Sequence, residues 1–236
     1  MAAELFYYPV IVHNLDYILV GNLDQGQPGG VLLTLIIAVS SGVLSIVAGL
    51  ALALASRLAP PAVARILAAI GEVVRGIPLL LLIFWLYFLL PMLFGRSAPD
   101  IVSVIAALTL FNAFSVMLTV LAGLAALPPG QAEAALASGF SRSQCVRWVL
   151  LPQALGHMLP SFVNLFVSLI KDTSLAFIVS VPELTLVSSQ INNREQIYPL
   201  EIFLTAGAIY FILCGSLSWG AHWLEGRLAQ KQRAIA

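Results

Sequence analysis

Residues 130–152 read GQAEAALASGFSRSQCVRWVLLP. Glu133, Arg142 and Arg147 fall within this stretch. Such groups cost roughly 2.5–3.5 kcal/mol each in a hydrocarbon core, so the stretch does not cross one. The small-residue run from Ala132 to Ala137 predicts a short helix. Gly139 predicts its end, because glycine takes the positive φ that closes a helix without a Cβ penalty. A second, amphipathic stretch runs to Pro152, whose fixed φ is expected to start the next helix. The segment therefore reads as a short helix outside the membrane, offered to another protein. The plainer reading is an alanine-rich loop between two spans. Alanine is common in this chain, so Glu-Ala-Ala by itself distinguishes nothing.

Around that stretch the chain is apolar. Sixty per cent of its 236 residues are hydrophobic and 9% are charged, against roughly 25% charged in a soluble domain. The mean hydropathy is +0.99. A membrane helix needs about 20 mostly apolar residues. Val31–Ser56 contains no Asp, Glu, Lys or Arg and predicts the first span. Ile77–Gly95 predicts the second, after the Pro60-Pro61 pair and three arginines. Ile101–Leu127 predicts the third and Leu159–Val179 the fourth, interrupted by Lys171-Asp172. Ile202–Leu224 predicts the fifth. Residues 4–23, with Tyr7, Tyr8 and Tyr17, suggest an interfacial helix, and the Gly/Gln/Pro-rich residues 21–30 its exit turn. The expected fold class is all-α: an integral membrane helical bundle of five core transmembrane helices plus an N-terminal interfacial helix. Its expected divisions are residues 1–29, a transmembrane domain over 30–225 carrying the loop 130–152, and a tail over 226–236.

The basic residues set the expected direction. With the N-terminus outside, eight of the eleven Lys and Arg fall in cytoplasmic segments: Arg57, Arg65, Arg75, Arg142, Arg147, Arg227, Lys231 and Arg233. Arg96 and Arg194 fall outside, and Lys171 lies within a span. The opposite orientation inverts the bias. The bias also puts Glu133–Pro152 in the cytoplasm, independently of the loop's own pattern. No Lys or Arg precedes Arg57, so the basic n-region of a secretory signal is missing and a retained span is expected to insert first.

Several functions are disfavoured. Net charge is zero, which argues against a nucleic-acid surface. Cys145 falls in the polar loop and Cys214 in a span, so a disulfide is not expected, and no metal-ligand spacing occurs. His13, His157 and His222 lie far apart with no acid or nucleophile at useful spacing, which disfavours an intramembrane hydrolase; they read as interfacial residues. Trp85, Trp148, Trp219 and Trp223 read as interface or packing residues. Five spans are few for a secondary transporter or channel working alone, and no inverted repeat is visible. No GxxxxGK[ST] occurs, so an ATP-driven cycle must borrow its ATPase. Gly42, Gly49, Gly207, Gly215 and Gly220 are expected to permit close helix approach.

Two polar stripes mark the spans. Asn164, Ser168 and Lys171/Asp172 fall at i, i+4 and i+7/i+8 on one helical face. Thr109, Asn112, Ser115 and Thr119 make a second stripe. Small polar residues most often bond between helices. Two stripes with a charged pair also suit the lining of a path for a zwitterion, Lys171 attracting a carboxylate and Asp172 an ammonium. Asn112 and Asn164 are the stronger lining candidates, since an amide is harder to satisfy in lipid. The alternative for Lys171 and Asp172 is structural pairing, local or with a neighbouring subunit.

The spacing Glu133-Ala134-Ala135, three residues, Gly139, nine residues, Val149, one residue, Leu151-Pro152 resembles the EAA loop of ABC importer permeases. Other segments resemble the polar amino-acid branch of that family, whose members import histidine, lysine/arginine, glutamine or glutamate/aspartate. These are Arg75-Gly76-Ile77-Pro78-Leu79-Leu80, Gly130-Gln131, Leu151-Pro152-Gln153-Ala154-Leu155 and Lys171-Asp172-Thr173-Ser174-Leu175. The resemblance covers roughly residues 30–225. It implies the type I importer permease fold, located in the bacterial inner membrane. It implies two permease chains, a pair of ATPase subunits that bind ATP and Mg, and an extracytoplasmic amino-acid-binding protein. It implies no catalysis and no cofactor in this chain. The loop would be the coupling helix that docks on the ATPase, with Glu133, Ala134, Ala135, Gly139 and Pro152 as its residues. The substrate path would take Asn112, Asn164, Lys171, Asp172, Thr173 and Ser174. One departure stands out. The branch carries an acidic and a basic residue ahead of Gly130-Gln131, where this chain has Leu118 and Leu121. In a homodimer both copies would lack those groups, so the partner permease is expected to be a second, homologous chain.

Overall fold

The structure, a computed structural model, describes residues 7–94 and 99–233. Expectations placed on residues 4–6, on Gly95, Arg96 and Ser97, on the Arg227, Lys231 and Arg233 side chains and on Ala236 lie outside the described residues. Two short helices, α1 (Pro9–His13) and α2 (Leu15–Val20), lead into a hairpin of β1 (Gly21–Asn22) and β2 (Gln27–Pro28) around a 3-10 turn, Leu23–Gln25. Then follow α3 (Gly30–Leu58), α4 (Pro61–Gly76), α5 (Leu79–Phe94), α6 (Asp100–Ala125), α7 (Pro129–Ala137) and α8 (Arg142–Gln144). A π-helical turn, Cys145–Leu150, leads into α9 (Leu151–Asp172) and a 3-10 segment, Thr173–Val179. Helices α10 (Leu184–Glu195) and α11 (Pro199–Arg233) follow. Among the described residues, four helical stretches are long and apolar enough to cross a membrane: Gly30–Leu58, Asp100–Ala125, Arg142–Val179 and Pro199–Trp223. The count rises to five if α4 and α5 form one broken span.

Three sequence expectations change. The second span was expected over Ile77–Gly95; α5 begins at Leu79, runs to the last described residue before Gly95, and is preceded by a separate helix, α4. Prolines bound α4 at both ends: Pro61 stands at its first helical position, where its missing N–H costs nothing, and Pro78 favours the extended backbone of Ile77 (φ −80°, ψ 130°), which separates α4 from α5. The fourth span, expected to begin near Leu159, is part of a longer helix that runs through Pro160 from Leu151. Membrane helices tolerate such a proline because local adjustments satisfy the freed backbone groups. Residues 4–23 were expected as one interfacial helix; among the described residues α1 and α2 break at Asn14, and the exit turn at 21–30 is a hairpin.

The chain folds as two compact units. One comprises Met1–Ser41, Leu80–Leu108 and Val167–Trp219. Its core joins Ile18, Leu184, Val187, Ile191, Ile202 and Ala206. Helix α10 was missed in the sequence although its signal was present: Leu184, Val187, Ser188 and Ile191, at i, i+3, i+4 and i+7, are all buried. Its N-cap is Glu183, which is fully buried. The carboxylate accepts from the backbone N–H of Thr185 (2.8 Å) and Leu186 (2.9 Å) and from the Tyr210 hydroxyl (2.8 Å). Burial pushes the Glu183 carboxyl above its ordinary value, and these hydrogen bonds only partly oppose that. Nearby, the Gly30 N–H donates to Pro182 O (2.9 Å) and the Leu184 N–H to the Thr34 hydroxyl (3.1 Å). The start of α3 is thereby pinned to the start of α10.

The other unit comprises Gly42–Leu79, Thr109–Phe166 and Gly220–Ala236. Its core is Ala53, Phe114, Val116, Met117, Val120 and Leu124 against Ala135, Cys145, Val146, Leu150, Ala154 and Met158. Of the glycines expected at close approaches, Gly49 is one. A Cβ there would lie 2.5 Å from Val116 Cβ and 2.6 Å from the Ala113 carbonyl. At Gly207, Gly215 and Gly220 an added Cβ meets nothing within 4 Å, so no close approach within this chain requires them.

Candidate coupling segment and translocation face

Residues 128–152 form a braced helical hairpin. Pro128 is extended (φ −56°, ψ 133°), as a residue before proline prefers, and Pro129 opens α7. Helix α7 ends in a Schellman turn: the Gly139 N–H donates to Leu136 O (3.0 Å) and the Phe140 N–H to Ala135 O (3.2 Å). Gly139 takes φ +87°, and a Cβ placed there would meet nothing within 4 Å. Its requirement is therefore one of backbone conformation alone. Ser141 then starts α8 through a capping box with Gln144 (2.8 and 3.3 Å). The S-x-x-Q signal was legible in the sequence and was missed.

The π turn follows from Pro152. A proline in a continuing helix lacks its N–H and crowds the preceding turn, and a widened turn immediately before it relieves both. Expected to start a new helix, Pro152 instead stands in the first turn of α9, directly continuous with the π turn. Helix α7 packs on this turn through Ala135, which is only 7% exposed, against Cys145, Val146 and Leu150. The Cys145 thiol lies 3.9 Å from Ala132 O, and Gln153 reaches Gln131 at 3.4 Å. Ala135 is thus small for packing within this chain. The outer face holds Glu133, Ala134, Leu136, Ala137, Gly139 and Phe140, all exposed.

The two polar stripes part company. That of α6 is turned inward: Asn112 is 4% exposed, Thr119 bonds back to Ser115 O (3.0 Å), and Ser45 of α3 reaches Thr109 O (3.4 Å). In α9, by contrast, Asn164, Ser168 and Lys171 are exposed, with Asp172 half-buried. Neither Lys171 nor Asp172 forms a salt bridge with another described residue. The α-helix ends at Asp172 and tightens into the 3-10 segment, in which Thr173 is buried and bonds Ile170 O (2.7 Å) while Ser174 is half-buried. Leu118 and Leu121 pack against the second unit's core.

A helical membrane protein with a braced polar hairpin and an exposed polar face on a spanning helix has the build of a transporter's membrane subunit. Residues 45–230 match the family described as binding-protein-dependent transport system inner membrane component, and the chain belongs to that family. It is 38% identical over 200 residues to a probable glutamine ABC transporter permease protein, GlnP, of Bacillus subtilis (strain 168), covering 84% of this chain and 91% of that one. With the glutamate/aspartate import permease protein GltK of Escherichia coli O6:H1 it shares 30% over 231 residues, covering 95% and 99%. A crystal structure described as an amino acid ABC transporter with histidines superposes with a TM-score of 0.74 at 27% identity, over 82% of this chain and 90% of that one. An inward-facing structure of the MetNI methionine ABC transporter gives 0.74 at 24% identity, covering 84% and 94%, and supports the fold alone. The chain therefore has the type I ABC importer permease fold and is a multi-pass inner-membrane component that works with a binding protein and an ATPase.

Proposed function

We propose that this chain is the membrane subunit of a polar amino-acid importer, and that α7 is the element through which a separate ATPase drives it. The observation that carries this reading is the exposed face of a short helix held rigid by a Schellman turn, a capping box and the π turn of α9. A lever must transmit movement without bending, and each of these devices removes freedom from the hairpin. In this reading Glu133, Ala134, Gly139 and Phe140 meet the ATPase, while Ala135 and Pro152 shape the support behind them. The ATPase holds ATP and Mg, and this chain performs no catalysis of its own. The N-terminus lies outside and the C-terminus in the cytoplasm, as the basic residues favour.

The substrate class follows from the relatives and from α9. An exposed stripe of Asn164, Ser168 and Lys171, with Asp172 and Ser174 half-exposed beside it, is costly against lipid and suits a wet path. A cation and a carboxylate side by side match the two charges of an amino acid. Asn112 and Thr173, the other path candidates, are buried and would serve as supports within their own units. A single subunit of this size does not enclose a path, so a second permease faces it. Leu118 and Leu121 favour a homologous chain in that role, because leucine orients no charged ligand. Alternating access then proceeds as the ATPase closes on ATP, α7 moves with it, and the spans open beneath the docked binding protein.

Ala137→Arg tests the coupling role, since Ala137 is exposed and lies outside the hairpin's core. Reconstituted with ATPase and binding protein, the variant is expected to insert normally and to lose roughly tenfold or more of its substrate-stimulated ATP hydrolysis, the effect of burying one unpaired charge in an interface. Wild-type coupling in this variant overturns the assignment. A ligand screen on the co-purified binding protein identifies the amino acid.

A further inference from the structure

A cavity of about 360 Å³ opens beside the hairpin, lined by Arg57, Leu58, Leu136, Arg142, Val146 and Leu150 among others. Among the described residues, none that lines it is acidic. Neither guanidinium forms a hydrogen bond or salt bridge with a described residue. Arginine carries five donors in a planar fork suited to phosphate, and two unpartnered forks in one cavity make a site for an anion. The rest of the lining is apolar, which calls for a ligand with a hydrocarbon portion as well. Depth narrows the choice. Arg57 is the first charged residue after the uncharged run Val31–Ser56, so it stands where the hydrocarbon core ends. Trp148, on the π turn, is 69% exposed, as tryptophan at a membrane–water boundary commonly is. An amphiphile whose phosphate lies at that depth is a membrane lipid, and basic pockets beside cytoplasmic helix ends take anionic head groups.

We infer that this cavity binds the head group of an anionic phospholipid, with the phosphate between Arg57 and Arg142 and the glycerol and first acyl carbons against Leu58, Leu136 and Leu150. The site joins the end of α3 to α7, so the lipid ties the coupling segment to the membrane surface. This goes beyond the transport reading and does not depend on which substrate is carried.

The test uses the full importer, permease with ATPase, in nanodiscs of equimolar phosphatidylglycerol and phosphatidylcholine. After extraction, retained lipids are counted by native mass spectrometry. Wild type is expected to retain phosphatidylglycerol preferentially. A basic residue near the surface is worth about fivefold in such a preference, so Arg57→Gln and Arg142→Gln should each lower it by about that factor and the double variant by roughly 30-fold. Arg65→Gln, on α4 and outside the cavity, should leave it unchanged. Circular dichroism on each variant reports the helical fold. Equal retention of both lipids by wild type overturns the proposal, as does an equal loss in Arg65→Gln. If the double variant keeps its preference but no longer co-purifies with the ATPase, the arginines meet an acidic patch of that protein and the lipid site is refuted.

Discussion

Single residues set two testable behaviours. Gly139 stands at φ +87° in open space, so Gly139→Val meets no clash but must hold a left-handed backbone at a cost of about 1–2 kcal/mol. The hairpin end should shift or fray, and substrate-stimulated ATPase activity should fall roughly tenfold while expression and insertion stay normal; uptake at the wild-type rate would contradict the lever. Ala135→Asp tests something different. It buries a charge against Cys145 and Leu150, so thermal stability should fall along with coupling. Glu183 governs pH. Its carboxyl is held above the ordinary 4.5 by burial, so the folded chain binds the proton more tightly than the unfolded one. That contribution to stability is fully present below pH 4.5 and is lost as pH rises through the folded value. Melting temperature in detergent should therefore decline over that window in wild type, and the decline should flatten in Glu183→Gln. The variant should also be less stable by about 1–3 kcal/mol, because an amide N–H₂ would face the N–H of Thr185 or Leu186. An unchanged slope in Glu183→Gln would assign the pH dependence to another group.

Elements explain why the hairpin and the stripes differ from their sequence patterns. Helices α3 and α6 approach at Gly49, where the nearest neighbours of an added Cβ include the Ala113 carbonyl. Backbone cannot rotate away as a flexible side chain can. Gly49→Ala should thus cost about 1–3 kcal/mol, read as a lower melting temperature, whereas Gly215→Ala, which meets nothing within this chain, should not destabilise the isolated permease. The comparison separates close packing within the chain from general intolerance of substitution. Along α9, exposed Asn164 and Lys171 face away from this chain's own core, while Asn112 of α6 faces in. Both stripes have helical spacing, and only their neighbours decide which one meets water or a partner.

At the scale of the whole molecule, topology and partnership each yield a direct measurement. A reporter fused after Ala236 should report the cytoplasm, and one at Ser97 the outer side, since an odd number of spans is expected between them. Matching signals from the two fusions would break that assignment. For partnership, the chain is expressed with the ATPase and binding protein alone. Substrate-stimulated hydrolysis should be absent and should return on adding a related permease that carries charges where this chain has Leu118 and Leu121. Full activity without it would establish a homodimer, the default for identical chains.

Hydropathy and spacing determined much of this protein unaided. Uncharged runs located the helices of the first and third spans, and the start of the fifth, to within a few residues, because excluding charge from hydrocarbon is a local, additive demand. Gly139 marked the end of α7 for an equally local reason, the cost of a Cβ at positive φ. Tertiary structure decided the rest. Pro61 and Pro78 bound a separate helix, α4, where the sequence read as a prelude to one span, and Pro152 follows a π turn rather than making a fresh start. Burial of Glu183 depends on Tyr210, 27 residues away, and local sequence carries no record of that contact. Ala135 and Ala134 are chemically identical neighbours, yet one is buried and the other exposed. Their difference comes from the π turn packed on one side of α7, a long-range contact that composition and periodicity do not encode.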